Sequence, residues 1–80
     1  MKNINKKIAD VRFFLAGEGF EDATIEHNEG QIEVVINLEG SDMLGNFIRT
    51  MYDMFYLEIH SALLLSVDNG VRRYKIVLTD

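Results

Sequence analysis

His27 and His60 are the only imidazoles in this 80-residue chain, and no cysteine accompanies them. Acid–base and metal chemistry near neutral pH usually begins with such groups, because imidazole titrates there and binds metals when neutral. A metal centre needs several ligands converging on one point. Around His27 the chain offers Glu26 and Glu29, in the run Glu-His-Asn-Glu, and around His60 it offers mostly apolar residues. The first group reads as a solvated turn and the second as a structural, hydrogen-bonded histidine. Nucleophile motifs of the Gly-x-Ser-x-Gly type are absent. "GEGFED", residues 17–22, lacks the third glycine of a dinucleotide loop and follows a helical pattern where such a loop follows a strand. The expectation is a chain that is not an enzyme, with no catalytic residues, no metal and no cofactor.

Carboxylates are the more informative groups. Between Arg12 and Arg49 there is no basic residue, while Glu18, Glu21, Asp22, Glu26, Glu29, Glu33, Glu39 and Asp42 fall in that interval. The last part of the chain carries Arg72, Arg73 and Lys75. Dense carboxylates steer encounter with Lys/Arg-lined surfaces and can imitate the spacing of a phosphate backbone. A net charge of −5 disfavours direct binding of nucleic acid by this chain. It is compatible with binding a protein that itself holds nucleic acid.

Elements must place these groups. Ile4, Ile8, Val11 and Leu15 recur at helical spacing, so a helix is predicted over residues 3–16, capped by Asn3 or Asn5 and ended at Gly17. "FEDATIEH" and "QIEVVINL" alternate around "NEG", which predicts a hairpin with strands near 21–27 and 31–38. Ser41 or Asp42 then starts a second helix with the stripe Leu44, Phe47, Ile48, Met51, Phe55. The stripe fails after Tyr56. Ile59, Ser61, Leu63, Leu65 and Val67 follow at period two, so "MYDMFYLEIHSALLL" (51–65) is a helix end running into a strand. "VDNGV" turns that strand into "VRRYKIVL".

The order is αββαββ, and its halves match in pattern at an offset of forty: Ile8 with Ile48, Val11 with Met51, Gly30 with Gly70. The predicted fold is an α+β two-layer sandwich in one domain, residues 1–80. Its four-stranded, mainly antiparallel sheet carries both helices on one face. The simplest closed arrangement puts the second strand of each hairpin at the centre with the two central strands parallel, a permuted ferredoxin-like order; a plain αββαββ meander is the alternative topology. Ala23, Ile25, Val34, Ile36, Leu38, Leu63, Leu65, Tyr74, Ile76 and Leu78 should face the helices. Glu26, Glu33, Val35, Leu64, Lys75 and Val77 should face out, with Glu33 paired to Arg73 or Lys75. The greasiness of Leu57–Leu65 predicts a strand more covered than an edge usually is. No apolar run reaches membrane-spanning or signal-peptide length, and the absence of cysteine suits a reducing compartment, so a soluble cytoplasmic protein is expected.

A short, acidic, cysteine-free domain with the segment "FEDATIEHNEGQIEVVINLEGSD" resembles, at the level of class, the small inhibitors of phages and mobile elements, including anti-CRISPR and anti-restriction proteins. That resemblance implies a protein-binding module whose acidic hairpin occupies a basic, nucleic-acid-binding surface of its target. Glu21, Asp22, Glu26, Glu29 and Glu33 are the expected contacts, with Phe13, Tyr52 and Tyr56 as aromatic anchors. The alternative expectation is a structural or regulatory homo-oligomer, pairing through the open sheet face or through the edge strand 58–67.

Overall fold

Alternation and helical stripes resolve into six elements in the computed structural model, which describes residues 4–20, 22–40 and 42–80. They are α1 (Ile4–Gly17), β1 (Thr24–Asn28), β2 (Gln31–Glu39), α2 (Met43–Phe55), β3 (Glu58–Asp68) and β4 (Val71–Thr79). The expected caps Asn3 and Ser41 and the expected contact Glu21 lie outside the described residues. Among the described residues, no helix is long and apolar enough to cross a membrane.

The fold is the predicted α+β sandwich. Val11 and Leu15 of α1, and Phe47 and Met51 of α2, pack on one face of the sheet. That face presents Ile32, Val34, Ile36 and Leu38 of β2 with Ile76 and Leu78 of β4, all fully or nearly fully buried. Period-two alternation is complete along β2, whose odd-numbered partners lie on the open face.

The strand order is β1-β2-β4-β3, so the second strand of each hairpin is central as expected. The central pair is antiparallel, however, with Ile32 opposite Leu78 and Ile36 opposite Tyr74. Chain path explains this correction. The 13 residues of α2 span about 20 Å, enough to carry the chain back to the end where β2 began. β3 therefore runs parallel to β2 one strand away, and a single hairpin reverses β4 against both.

The two helices stop differently. After α1, the Phe20 amide donates to the Leu15 carbonyl at 2.9 Å and the Gly19 amide to the Ala16 carbonyl at 3.3 Å, while Gly19 takes φ +84°. This is a Schellman end, and its left-handed residue is Gly19, not Gly17. After α2 the same left-handed position is filled by Tyr56 at φ +56°, an uncommon conformation for a bulky residue. Leu57, directly after it, is fully buried and anchors the exit. At the other end of α2, Asp42 occupies the N-cap position but its side chain makes no capping hydrogen bond.

Candidate interaction surface

Register places the side chains of the open face in rows. Glu26 lies opposite Glu33, Glu33 opposite Val77, and Val77 opposite Ser61. The next row runs Thr24, Val35, Lys75, Leu63, and the one after it Asn37, Arg73, Ser66. Two carboxylates directly opposite each other repel. Lys75 relieves the repulsion by holding Glu33 Oε1 at 2.8 Å, and Asn28 donates to Glu33 Oε2 at 3.2 Å. These two hydrogen bonds, Lys75 first, hold the Glu33 carboxyl below its ordinary range, and the Glu33 carboxylate raises the Lys75 ammonium. Arg73 donates to Asn37 Oδ1 at 3.1 Å. Of the two cations expected for Glu33, Lys75 is therefore the partner.

On β3 the expected faces are exchanged between two bulges. Ala62 lies opposite Ile76 and Leu64 opposite Tyr74, on the helix side, while Leu63 lies opposite Lys75 on the open side. Register shifts between Ile59 and Ser61, and again between Leu64 and Ser66, cause this. Each inserts a residue, His60 or Leu65, with no partner across β4. One inserted residue reverses the face of everything beyond it. Strict alternation puts Leu63 inside and Leu64 outside, which the first bulge overturns; the second restores the expected faces, with Ser66 opposite Arg73 on the open side and Val67 opposite Arg72 on the helix side, and Leu65 is itself the inserted residue.

β3 also lacks the expected cover. All eleven of its residues are exposed. Ile59, Leu63, Leu64, Leu65 and Val67 stand 40–59% open at the sheet edge, interrupted by His60, Ser61 and Ser66. Between Glu58 and Asp68 it contains no Lys, Arg, Asp or Glu. The helix layer adds to this surface. Asn46, Thr50 and Met54 line a groove against α1, so Ile48 and Tyr52, on the other flank of α2, turn toward β3. Tyr52 is 54% exposed and Tyr56, at the α2–β3 joint, 74%.

The residues expected to bind a partner do not form one surface. Glu26 and Glu33 share the open face of the first hairpin, and Glu33 is already engaged by Lys75. Glu29 sits in the β1–β2 turn at φ +50°. Asp22 lines a shallow cleft with Glu39, Phe20, Ala23 and Met43, beside the part of β2 that β1 is too short to cover. Phe13 is 84% exposed on the side of α1 away from Val11 and Leu15, next to Met54. Tyr52 lies on the flank of α2 away from α1, whereas Tyr56 lines a shallow pocket with Lys6, Lys7 and Asp10 of α1. His27 and His60 are both exposed and lie in different strands, so His60 is not the buried, structural histidine read from its apolar neighbours. Among the described residues, no three His, Asp or Glu side chains gather as a metal site.

The strand 58–67 was an interaction candidate on sequence grounds, and the structure places it as an exposed edge of the sheet. The available signal was nine consecutive uncharged residues, 59–67, in a strand whose partner on one side is supplied and whose other side is open. Set against known proteins, the chain matches no family model, no curated protein and no solved structure.

Proposed function

We propose that this chain is a non-enzymatic protein-interaction module that works by strand addition at β3. One observation carries the reading: an eleven-residue edge strand, apolar through its centre, has no buried residue and no charged residue between its ends. An edge strand offers a row of backbone donors and acceptors to an incoming strand, and soluble proteins usually blunt such edges with lysine, proline or brevity. Here the backbone edge and the apolar side chains coincide, so hydrogen bonding and desolvation act together on one partner.

A second reading has its own support. Asp22, Glu26, Glu29 and Glu39 are exposed and have no ion pair among the described contacts, so an acidic hairpin remains free to steer toward a basic surface, as an inhibitor of a nucleic-acid-binding protein would. The two readings separate by mutation. Tagged chain expressed in its native host is recovered with whatever it binds, copies of itself included. Under the β3 reading, Leu63→Lys and Leu65→Lys each lose that binding, and the triple variant Asp22→Lys, Glu26→Lys, Glu33→Lys keeps it. The opposite pattern overturns the β3 reading in favour of the acidic hairpin.

A further inference from the structure

Resting on the strand-addition reading, we infer that the strand added to β3 is β3 of a second copy, antiparallel and centred on Leu63. The resulting homodimer has one continuous eight-stranded sheet. A two-fold axis perpendicular to the sheet puts both helix layers on the same side.

Self-complementarity is the first argument. With Leu63 opposite its own mate, Ala62 meets Leu64 and Ile59 meets Val67 of the other copy. All four are helix-side residues by their pairing with β4. Opposed residues of an antiparallel pair share a face, so this register requires such agreement and finds it. The bulges agree too. His60 then opposes Ser66, and Leu65 opposes Ser61, so the bulged segment near 60–61 of each copy faces the bulged segment near 65–66 of the other. Both strands bend at the same places along the joint, which lets an irregular edge pair with itself.

Charge selects the same occupant. The edge from Ile59 to Val67 is neutral apart from His60, so it offers nothing to recognise a charged partner. It fits a neutral apolar strand of equal length, and β3 is one. The acidic β1–β2 hairpin lies at the other end of the strand order, but this register sets Glu58 opposite Asp68 of the other copy at both ends of the joint, a like-charge pair that acts against pairing, so dimerisation should strengthen with added salt. In the dimer the two acidic edges would sit about 34 Å apart, several times the ~8–10 Å screening length of physiological salt. The joint would bring the half-open side chains of Ile59, Leu63, Leu64 and Val67 beside their mates, Leu63 on the open face and the other three on the helix side.

The absence of cysteine makes the register directly testable, since a single introduced thiol is unique. The full chain is measured by light scattering from micromolar to near-millimolar concentration, and the variants Leu63→Cys and Ser66→Cys are oxidised under the same conditions. Both positions are exposed on the open face, and circular dichroism checks that each variant folds. The expected result is a dimer mass and efficient Leu63→Cys cross-linking, because directly opposed Cα atoms lie about 4.5–5.5 Å apart, inside the disulfide range. Ser66→Cys should not cross-link, because the two copies of residue 66 would be about 20 Å apart along the strands. Leu63→Lys should weaken dimerisation by at least about tenfold. A monomer at the highest concentration, or Ser66→Cys cross-linking in place of Leu63→Cys, overturns the proposal. If the chain is monomeric yet Leu63→Lys still loses a different protein in the host, the second copy is wrong and the strand-addition reading stands.

Discussion

β1 and β3 close the same sheet from opposite sides, each is the first strand of its hairpin, and each follows a helix. β1 has five residues, a like-charged row at Glu26 and Glu33, and a polar end at His27 and Asn28. β3 has eleven residues and carries carboxylates only at its two ends. β1 is therefore a short, polar edge of the kind that resists further pairing, whereas β3 is long and apolar and invites it. The pattern repeated in the two halves gives the layered frame, and the two halves depart from one another most at these edges.

The strongest way to break this comparison is to test whether β3 belongs to the folded monomer's core at all. Ile76 is fully buried on β4, and its neighbour across the β3 pairing is the exposed Ala62. Ile76→Ala should cost about 2–5 kcal/mol, since it removes core contacts and leaves a cavity. For a chain of this size that is a large part of a total stability of roughly 4–12 kcal/mol. Leu64→Ala, one row along on the exposed strand, should cost less than about 1 kcal/mol in dilute solution. Its cost should grow with protein concentration, because mass action adds the lost interface. Urea titrations at low and high concentration measure both. Equal penalties for the two variants in dilute solution would show that β3 is packed in the monomer.

Much of this frame was legible in the sequence, for a physical reason. Element order, both helix stripes and the alternation of β2 follow from local periodicity, and burial on one face enforces it. Local pattern does not contain the direction of the central pair. That is fixed by how far α2 carries the chain before β3 begins. Nor does it contain the bulges at His60 and Leu65, each a single insertion invisible among consecutive apolar residues. The excess greasiness of residues 57–65 predicts a strand more covered than an edge usually is, and the structure overturns this: Leu57 is buried, but every residue from Glu58 to Asp68 is exposed. Asp22, Glu26, Glu29 and Glu33 were chosen by their density in sequence. Folding sends them to a cleft, a sheet face and a turn, and pairs one of them with Lys75.

The ends of the two helices offer a smaller and sharper test. Gly19 and Tyr56 perform the same left-handed stop, one without a side chain and one with a large exposed ring. Tyr56→Gly should raise stability by about 0.5–1 kcal/mol in dilute solution, since the strained φ is relieved at some cost in unfolded-chain entropy. Light scattering should show unchanged dimerisation, because Tyr56 lines a shallow pocket with Lys6, Lys7 and Asp10 of α1. A loss of stability in the dilute thermal melt would mean that the ring's packing in that pocket outweighs the strain.

The hairpin turns are smaller still. Glu29-Gly30 and Asn69-Gly70 adopt nearly the same backbone, φ 50° and 81° against 51° and 80°. Asparagine tolerates that first position better than glutamate. Glu29→Asn should therefore stabilise the chain by a few tenths of a kcal/mol, and Asn69→Glu should destabilise it by a similar amount. Matched, opposite shifts in denaturation midpoint would show that the two turns are equivalent and that the halves diverge only at their edge strands.

The smallest effect expected is that of the contact tying the acidic hairpin of the first half to β4 of the second. Glu33 is held below its ordinary value of 4.5, first by the Lys75 hydrogen bond and then by Asn28, and Lys75 is raised above 10.5 by Glu33. A carboxyl with a lowered folded-state pKa stabilises the fold above its unfolded value, and the contribution disappears as pH falls through the folded one. For the ammonium the contribution is present below 10.5 and disappears as pH rises through the raised value. The pair therefore adds stability on the plateau between, and loses it below pH 4.5 and above pH 10.5. Both groups face solvent, so the change is small and salt-sensitive. Lys75→Met should lower the melting temperature slightly on the plateau, and the gap from the unsubstituted chain should close at each extreme. A gap that stays constant through acid and alkali would assign the effect of Lys75 to its aliphatic stem lying along Val35 and Leu63 rather than to its charge.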